Sequence, residues 1–307
     1  MQGVKMLSFK GVFSVLPTPF SADGGIDKVS LKRIIDLFLE AGVSGFTVLG
    51  VTSEVSRLSE KEKREVVDGV LHHVSGRVPV VVGTTAEGTH TCIESSRSAV
   101  SAGASAVMVS PPRLPKLHSE TVVRHYKALA DAVEIPIVIQ DYPPISGYTM
   151  ESALLVRIAR EVPAANAIKL EDAPTPLKVA RIRAAAGEHP LAIFGGLGGV
   201  YLLEELFAGA TGAMTGFAIP EILVQVVKNF HSGDLQKAKD VFYHYVAVMR
   251  FEFQEGIGMA IRKEILHRRG AIANPFVRPP GASLDPSTMR ALDELVDWLK
   301  QEGCLWV

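Results

Sequence analysis

Eight short apolar runs, each followed by a stretch of helical periodicity, constrain this chain more than any other feature. The runs cover residues 12–16, 46–49, 78–82, 106–109, 135–139, 167–170, 191–194 and 213–215. Residues 29–41, 60–74, 91–102, 120–132, 152–161, 176–186 and 200–208 between and after them repeat apolar positions at helical spacing. A strand that is apolar along its whole length must be covered on both faces, which belongs to a parallel sheet packed under helices. Eight such units close into a (β/α)8 barrel, the TIM barrel; an open, doubly wound sheet is the alternative. Ser59 followed by Glu62 is a capping-box pair and sets the start of the second helix.

After Pro220 the alternation stops, and residues 222–230, 235–255, 258–269 and 286–301 read as helices. The reading is α/β: a barrel over residues 1–225 and a C-terminal helical extension over 226–307 packed on it. Asn274-Pro275 and Pro279-Pro280-Gly281 mark a loop between the last helices. With 307 residues, 47% of them hydrophobic, the chain has material for a large core.

Thirty-two basic side chains against 33 acidic ones leave a formal charge of −1. That balance gives no reason to expect nucleic acid or an acidic membrane as a partner and points to small molecules. Cys92 and Cys304, with no metal-ligand spacing around either, fit reduced thiols of a cytoplasmic protein, and no metal is expected. No segment reaches the roughly 18 unbroken apolar residues of a membrane span, and residues 1–10 lack the pattern of a signal peptide.

Catalytic groups of such barrels gather at the carboxyl ends of the strands. Lys169, between Ile168 and Leu170 at the end of the sixth run, is the most informative of them. An amine in that setting loses its proton cheaply and can attack a ketone, whereas an ordinary surface lysine at a frayed strand end is the plainer account. Glu171 and Asp172 follow, either as catalytic acids or as an acidic pair favourable at a helix N-terminus. Gln140 and Asp141 follow the fifth run, and Arg113 lies in the loop after the fourth. Gly50, Thr52 and Ser53 form a turn whose hydroxyls and N–H groups suit a carboxylate or simply serve the turn. Gly195 and Gly196 open a glycine-rich stretch, 195–199, that suits a phosphate or leaves space for a substrate chain.

In this order and spacing, the motifs resemble those of the dihydrodipicolinate synthase and N-acetylneuraminate lyase family of class I aldolases. Residues 11–20 resemble its opening strand with Thr18-Pro19-Phe20, Gly50 to Glu54 its G-T-T-G-E, 136–147 the segment around its catalytic tyrosine, Lys169 its Schiff-base lysine, and 209–216 its last-strand motif. The resemblance implies an eight-stranded barrel with a C-terminal helical region and a homotetramer built as a dimer of dimers. It also implies a 2-keto acid substrate held as a covalent imine on Lys169, with no other cofactor.

Members that make dihydrodipicolinate use two tyrosines, a threonine and an arginine where this chain has Gln140, Arg113, Val51 and Ile145. Valine shuttles no proton and isoleucine binds no carboxylate, so that synthesis is disfavoured here. Ile139-Gln140-Asp141, the Lys169-x-Glu171 spacing and Gly209 to Gly216 resemble the 2-keto-3-deoxy sugar-acid dehydratase branch, the 2-keto-3-deoxy-L-arabonate type. The expectation is a lyase that dehydrates a 2-keto-3-deoxy sugar acid, with Glu171 as base at C3, Gln140 orienting a hydroxyl or water, Asp141 or Glu171 as acid, and Thr52 and Ser53 on the carboxylate. Pyruvate-releasing aldol cleavage, dihydrodipicolinate synthesis and a catalytically silent keto-acid-binding barrel are the alternatives.

Overall fold

The computed structural model describes residues 7–304 and 306. Residues 1–6, part of the N-terminal segment read above for a signal pattern, lie outside the described residues. Eight parallel strands pair in chain order and close on themselves, β1 returning to β8. They are β1 (Gly11–Val15), β2 (Gly45–Val48), β3 (Val80–Gly83), β4 (Ala106–Val109), β5 (Ile137–Asp141), β6 (Ala167–Leu170), β7 (Ala192–Gly195) and β8 (Gly212–Thr215). The open-sheet alternative is thereby excluded.

The outer helices are α1 (Lys28–Glu40), α2 (Glu60–Val74), α3 (Thr89–Ala102), α4 (Ser119–Ala132), the one-turn α5 (Pro143–Ser146), α6 (Ser152–Glu161), α7 (Thr175–Ala186), α8 (Leu202–Phe207) and α9 (Pro220–Ser232). Three more, α10 (Leu235–Glu252), α11 (Gly258–Arg268) and α12 (Pro286–Gln301), follow, with α10 packed along α9. Residue 225, where the sequence reading placed the end of the barrel, lies within α9. Caps set several starts: Asp27 accepts the Val29 and Ser30 amides ahead of α1, and Ser59 with Glu62 forms the capping box of α2.

Two apolar layers explain why the strands are hydrophobic throughout. Side chains alternate along each strand, so one set fills the barrel and the other meets the helices. Phe13, Val81, Met108, Val138, Ala167 and Phe194 belong to the inner cluster, where Phe13 and Phe194 meet edge-on at 5.3 Å between centroids. Val12, Val80, Val107, Ile139, Ile168 and Ile193 belong to the larger outer one. This parity decides which residues reach the barrel's mouth. Among the described residues no helix is long and apolar enough to cross a membrane.

Candidate active site

Lys169 has the parity of Ala167, which faces the barrel interior, so its side chain also runs inward, near the carboxyl end of β6. Its neighbours in register are Gln140 on β5 and Phe194 on β7. The Lys169 side chain is 4% exposed, and its Nζ lies 3.0 Å from Glu171 Oε2. Gln140 Nε2 donates to that same oxygen at 2.9 Å. Ser110 Oγ donates to Gln140 Oε1 at 3.1 Å, which turns the amide nitrogen toward Glu171. The Ser110 amide in turn donates to Thr85 Oγ1 at 2.9 Å. Lysine, carboxylate, amide and hydroxyl thus form one connected chain across the mouth, in which an amine and a possible base are within proton-transfer reach.

Glu171 folds over the mouth because Gly196 lets it: a β-carbon at 196 would collide with the Glu171 side chain, its Cδ at 3.0 Å and Oε1 at 3.1 Å. Gly195, of opposite parity, makes room instead for the buried Glu205 carboxylate of α8. Gly198 lies against Phe253 and Gly199 against Leu223. The glycine-rich stretch therefore accommodates side chains of this chain, and Gly196 enters the site by giving Glu171 its place.

Asp141 needs a correction. It continues β5 with the parity of Ile137 and Ile139, so it faces the helices while Gln140 faces the mouth. Its carboxylate lies 2.6 Å from Lys178 Nζ, which Asp172 also meets at 2.7 Å. Burial pushes the Asp141 carboxyl up to about 6, against the pull of Lys178. Asp141 and Asp172 thus share one lysine of α7 behind the barrel wall, and the structure does not bring Asp141 to Lys169.

The turn after β2 divides its hydroxyls. Ser53 Oγ donates to Leu16 O at 2.7 Å and accepts the Gly50 amide at 3.2 Å, so its hydroxyl is committed to holding the turn. Gly50 itself packs close to β1; a β-carbon there would stand 2.9 Å from Val15 Cγ1. Thr52 Oγ1 is buried and has no hydrogen-bond partner among the described residues. Residues 51–53 form a single 3-10 turn, whose first amides have no partner inside it. Glu54, at φ 59°, closes the turn through Lys263 Nζ at 2.5 Å and Arg57 Nη1 at 2.8 Å. Arg113 is exposed in the loop after β4, beside Gly147.

Three residues carry no role in the reading from sequence: Ser110 and Tyr142, which it places only at strand ends, and Arg262, which it does not name. Ser110 could have been aimed at the mouth by continuing the alternation from Met108. Tyr142 has a phenol raised by burial and, next, by the Glu171 and Glu255 carboxylates, which puts it in the field of Glu171. Arg262, buried on α11, reaches the Gly216 end of β8, and its position along the chain carries no local signal of this. Among the described residues no group of three or more histidine, cysteine, aspartate or glutamate side chains is arranged to hold a metal ion.

Comparison with known proteins agrees with this architecture. The sequence model described as "Dihydrodipicolinate synthetase family" matches residues 8–301. The L-2-keto-3-deoxyarabonate dehydratase of Azospirillum brasilense is 31% identical over 300 residues, covering 94% of this chain and 96% of that protein. A crystal structure of dihydrodipicolinate synthase from Rhodopseudomonas palustris superposes with a TM-score of 0.88 at 33% identity, covering 94% of this chain and 97% of the other. YagE of Escherichia coli K12, a prophage protein of the dihydrodipicolinic acid synthase family crystallised in complex with pyruvate, gives a TM-score of 0.89 at 27% identity over 96% and 99% of the two chains.

Proposed function

From the premise that this chain belongs to the dihydrodipicolinate synthetase family, whose named relatives are enzymes, we propose that it is a Schiff-base lyase that dehydrates a 2-keto-3-deoxy sugar acid. The observation that carries the reading is the 3.0 Å approach of Lys169 Nζ to Glu171 Oε2, with Gln140 on the same oxygen.

The Lys169 proton passes to Glu171, the free amine attacks the C2 ketone, and the carbinolamine hydroxyl leaves as water with the proton that Glu171 returns, so an iminium forms. The iminium acidifies C3. Glu171, left deprotonated by that return, takes the C3 proton, and the electron pair becomes the enamine. That enamine expels the C4 hydroxyl, which departs as water with the proton that Glu171 has just gained. Hydrolysis then consumes one water and frees Lys169, so the net change is the loss of one water from the substrate. Gln140 exchanges no proton and orients Glu171 or a substrate hydroxyl. The Thr52 hydroxyl and the first amides of its turn receive the C1 carboxylate, with Ser53 shaping the turn from behind. Asp141 has no step.

Retro-aldol cleavage, which breaks C3–C4 from the same iminium, is the second reading; the pyruvate complex of the similar YagE supports it. Val51 and Ile145 speak against dihydrodipicolinate synthesis. The working form we propose is a cytoplasmic homotetramer, which sedimentation of the purified protein measures.

Borohydride reduction in the presence of pyruvate tests the imine: a mass increase on Lys169 supports it, and an unmodified lysine at saturating pyruvate removes it. A panel of 2-keto-3-deoxy acids, assayed separately for water loss and pyruvate release, then separates dehydration from cleavage.

A further inference from the structure

Arg262 is buried at 4% exposure on α11, outside the strands and loops that supply the residues above. Its Nε is fixed to Glu252 Oε1 at 2.5 Å, and Glu252 Oε2 accepts the Ala218 amide at 2.9 Å. The Nη1 arm has no hydrogen-bond partner among the described residues, although it is shut away from water. An orphaned, charged donor of this kind is rare in a folded protein unless something else binds it.

Gly216 shows where the arm points. It follows β8 with the parity of Met214, which faces the barrel interior. A β-carbon at Gly216, directed toward the mouth, would overlap Arg262 Nη1, and Thr52 Oγ1 would stand 2.8 Å from the same point. The absent side chain at 216 admits the Arg262 arm beside Thr52 and so brings together two buried, unpartnered donors from different parts of the chain. One anionic oxygen between them would satisfy both.

We propose that Arg262 is a substrate-binding residue whose Nη1, together with Thr52 Oγ1, grips the C1 carboxylate of the 2-keto acid. The inference rests on the imine reading above and adds the group that supplies positive charge to the carboxylate. C1 is one bond from the carbon that Lys169 attacks, so the grip also fixes the face of the ketone presented to the amine. With Nε committed to Glu252, the side-on fork that uses Nε is closed to the substrate, which leaves the Nη1 arm.

The test is borohydride trapping over a range of pyruvate and, separately, of pyruvamide, which has the same ketone without the charge. The double variant Arg262→Met/Glu252→Gln removes both buried charges and avoids stranding one of them. Gly216→Ala keeps the pair and places a methyl where Nη1 now lies. Both variants are expected to raise the half-saturating pyruvate concentration about ten- to a hundredfold, the range for a charge-assisted hydrogen bond, while pyruvamide stays within about twofold. Unchanged pyruvate saturation overturns the proposal, and so does an equal shift for both ketones, which a merely structural arginine would give. No adduct in the unsubstituted protein overturns the imine reading and this inference with it, an outcome distinct from a failure confined to the variants.

Discussion

Gln140 and Lys169 converge on one atom: Glu171 Oε2 lies 2.9 Å from the Gln140 amide nitrogen and 3.0 Å from the Lys169 amine. A carboxylate held in this way has its proton-accepting oxygen aimed at the amine. Glu171→Gln is expected still to give the borohydride-trapped adduct on Lys169, formed more slowly, and to slow turnover by about two to four powers of ten, the range for a general acid-base group. Turnover equal to that of the parent protein would take Glu171 out of the mechanism.

Ser110 fixes the sense of the Gln140 amide through its hydroxyl. Ser110→Ala removes one hydrogen bond, a net loss of about 0.5–1.5 kcal/mol, and is expected to lower kcat by up to about tenfold. Gln140→Leu removes the donor to Glu171 as well and is expected to lower it further. Steady-state kinetics on both variants checks the order; a larger loss from Ser110→Ala would mean that Gln140 is not the intermediary.

Glu205 gives the fold a pH dependence. Burial pushes its carboxyl from 4.5 up to about 7, against a hydrogen bond from Thr175. A raised acid binds its proton more tightly when folded, so its contribution is fully present below about 4.5 and is lost as pH rises through about 7. Glu205→Gln mimics the neutral acid. It is expected to raise stability above pH 7 by on the order of 3 kcal/mol at most and to flatten the decline between pH 5 and 8. Urea unfolding across that range measures it; an unaltered slope would refute the assignment.

Glu54 and Lys263 are a buried pair, each side chain 1% exposed, joining the turn after β2 to α11. Burial, reinforced by Arg57 and Arg278 and opposed by Glu54, lowers the Lys263 amine to about 8. Either Glu54→Gln or Lys263→Met alone strands a buried group and is expected to cost about 3–5 kcal/mol. The double variant is expected to lose less than the sum of the two, because the stranded charge disappears with its partner. Additive losses in denaturant midpoints would show that the two do not act as a pair.

The barrel was legible because its strands are apolar on both faces: each run lies within about two residues of the strand that forms. The one-turn α5 was not, since Pro143-Pro144 reads as a loop and the turn is only four residues long. Lys169 and Glu171 could be named from their place at the end of the sixth run and just beyond it. Gln140 and Asp141 could not be told apart, because the run read from sequence stops at 139 whereas β5 continues to Asp141. Those two added residues carry the alternation outward and send the two side chains to opposite sides. Arg262 meets Gly216 and Thr52 through contacts between distant segments, which no local spacing encodes.

That alternation in β5 sets a rule for sequence drift in this part of the gene. A deletion of one codon early in the strand would swap the two partners, carrying an acid into the reaction chamber and an amide to the lysine behind the wall. A deletion of two codons would restore each group to its side but draw both roughly 7 Å down the barrel, away from Glu171 and Lys178, so this strand holds side and height together.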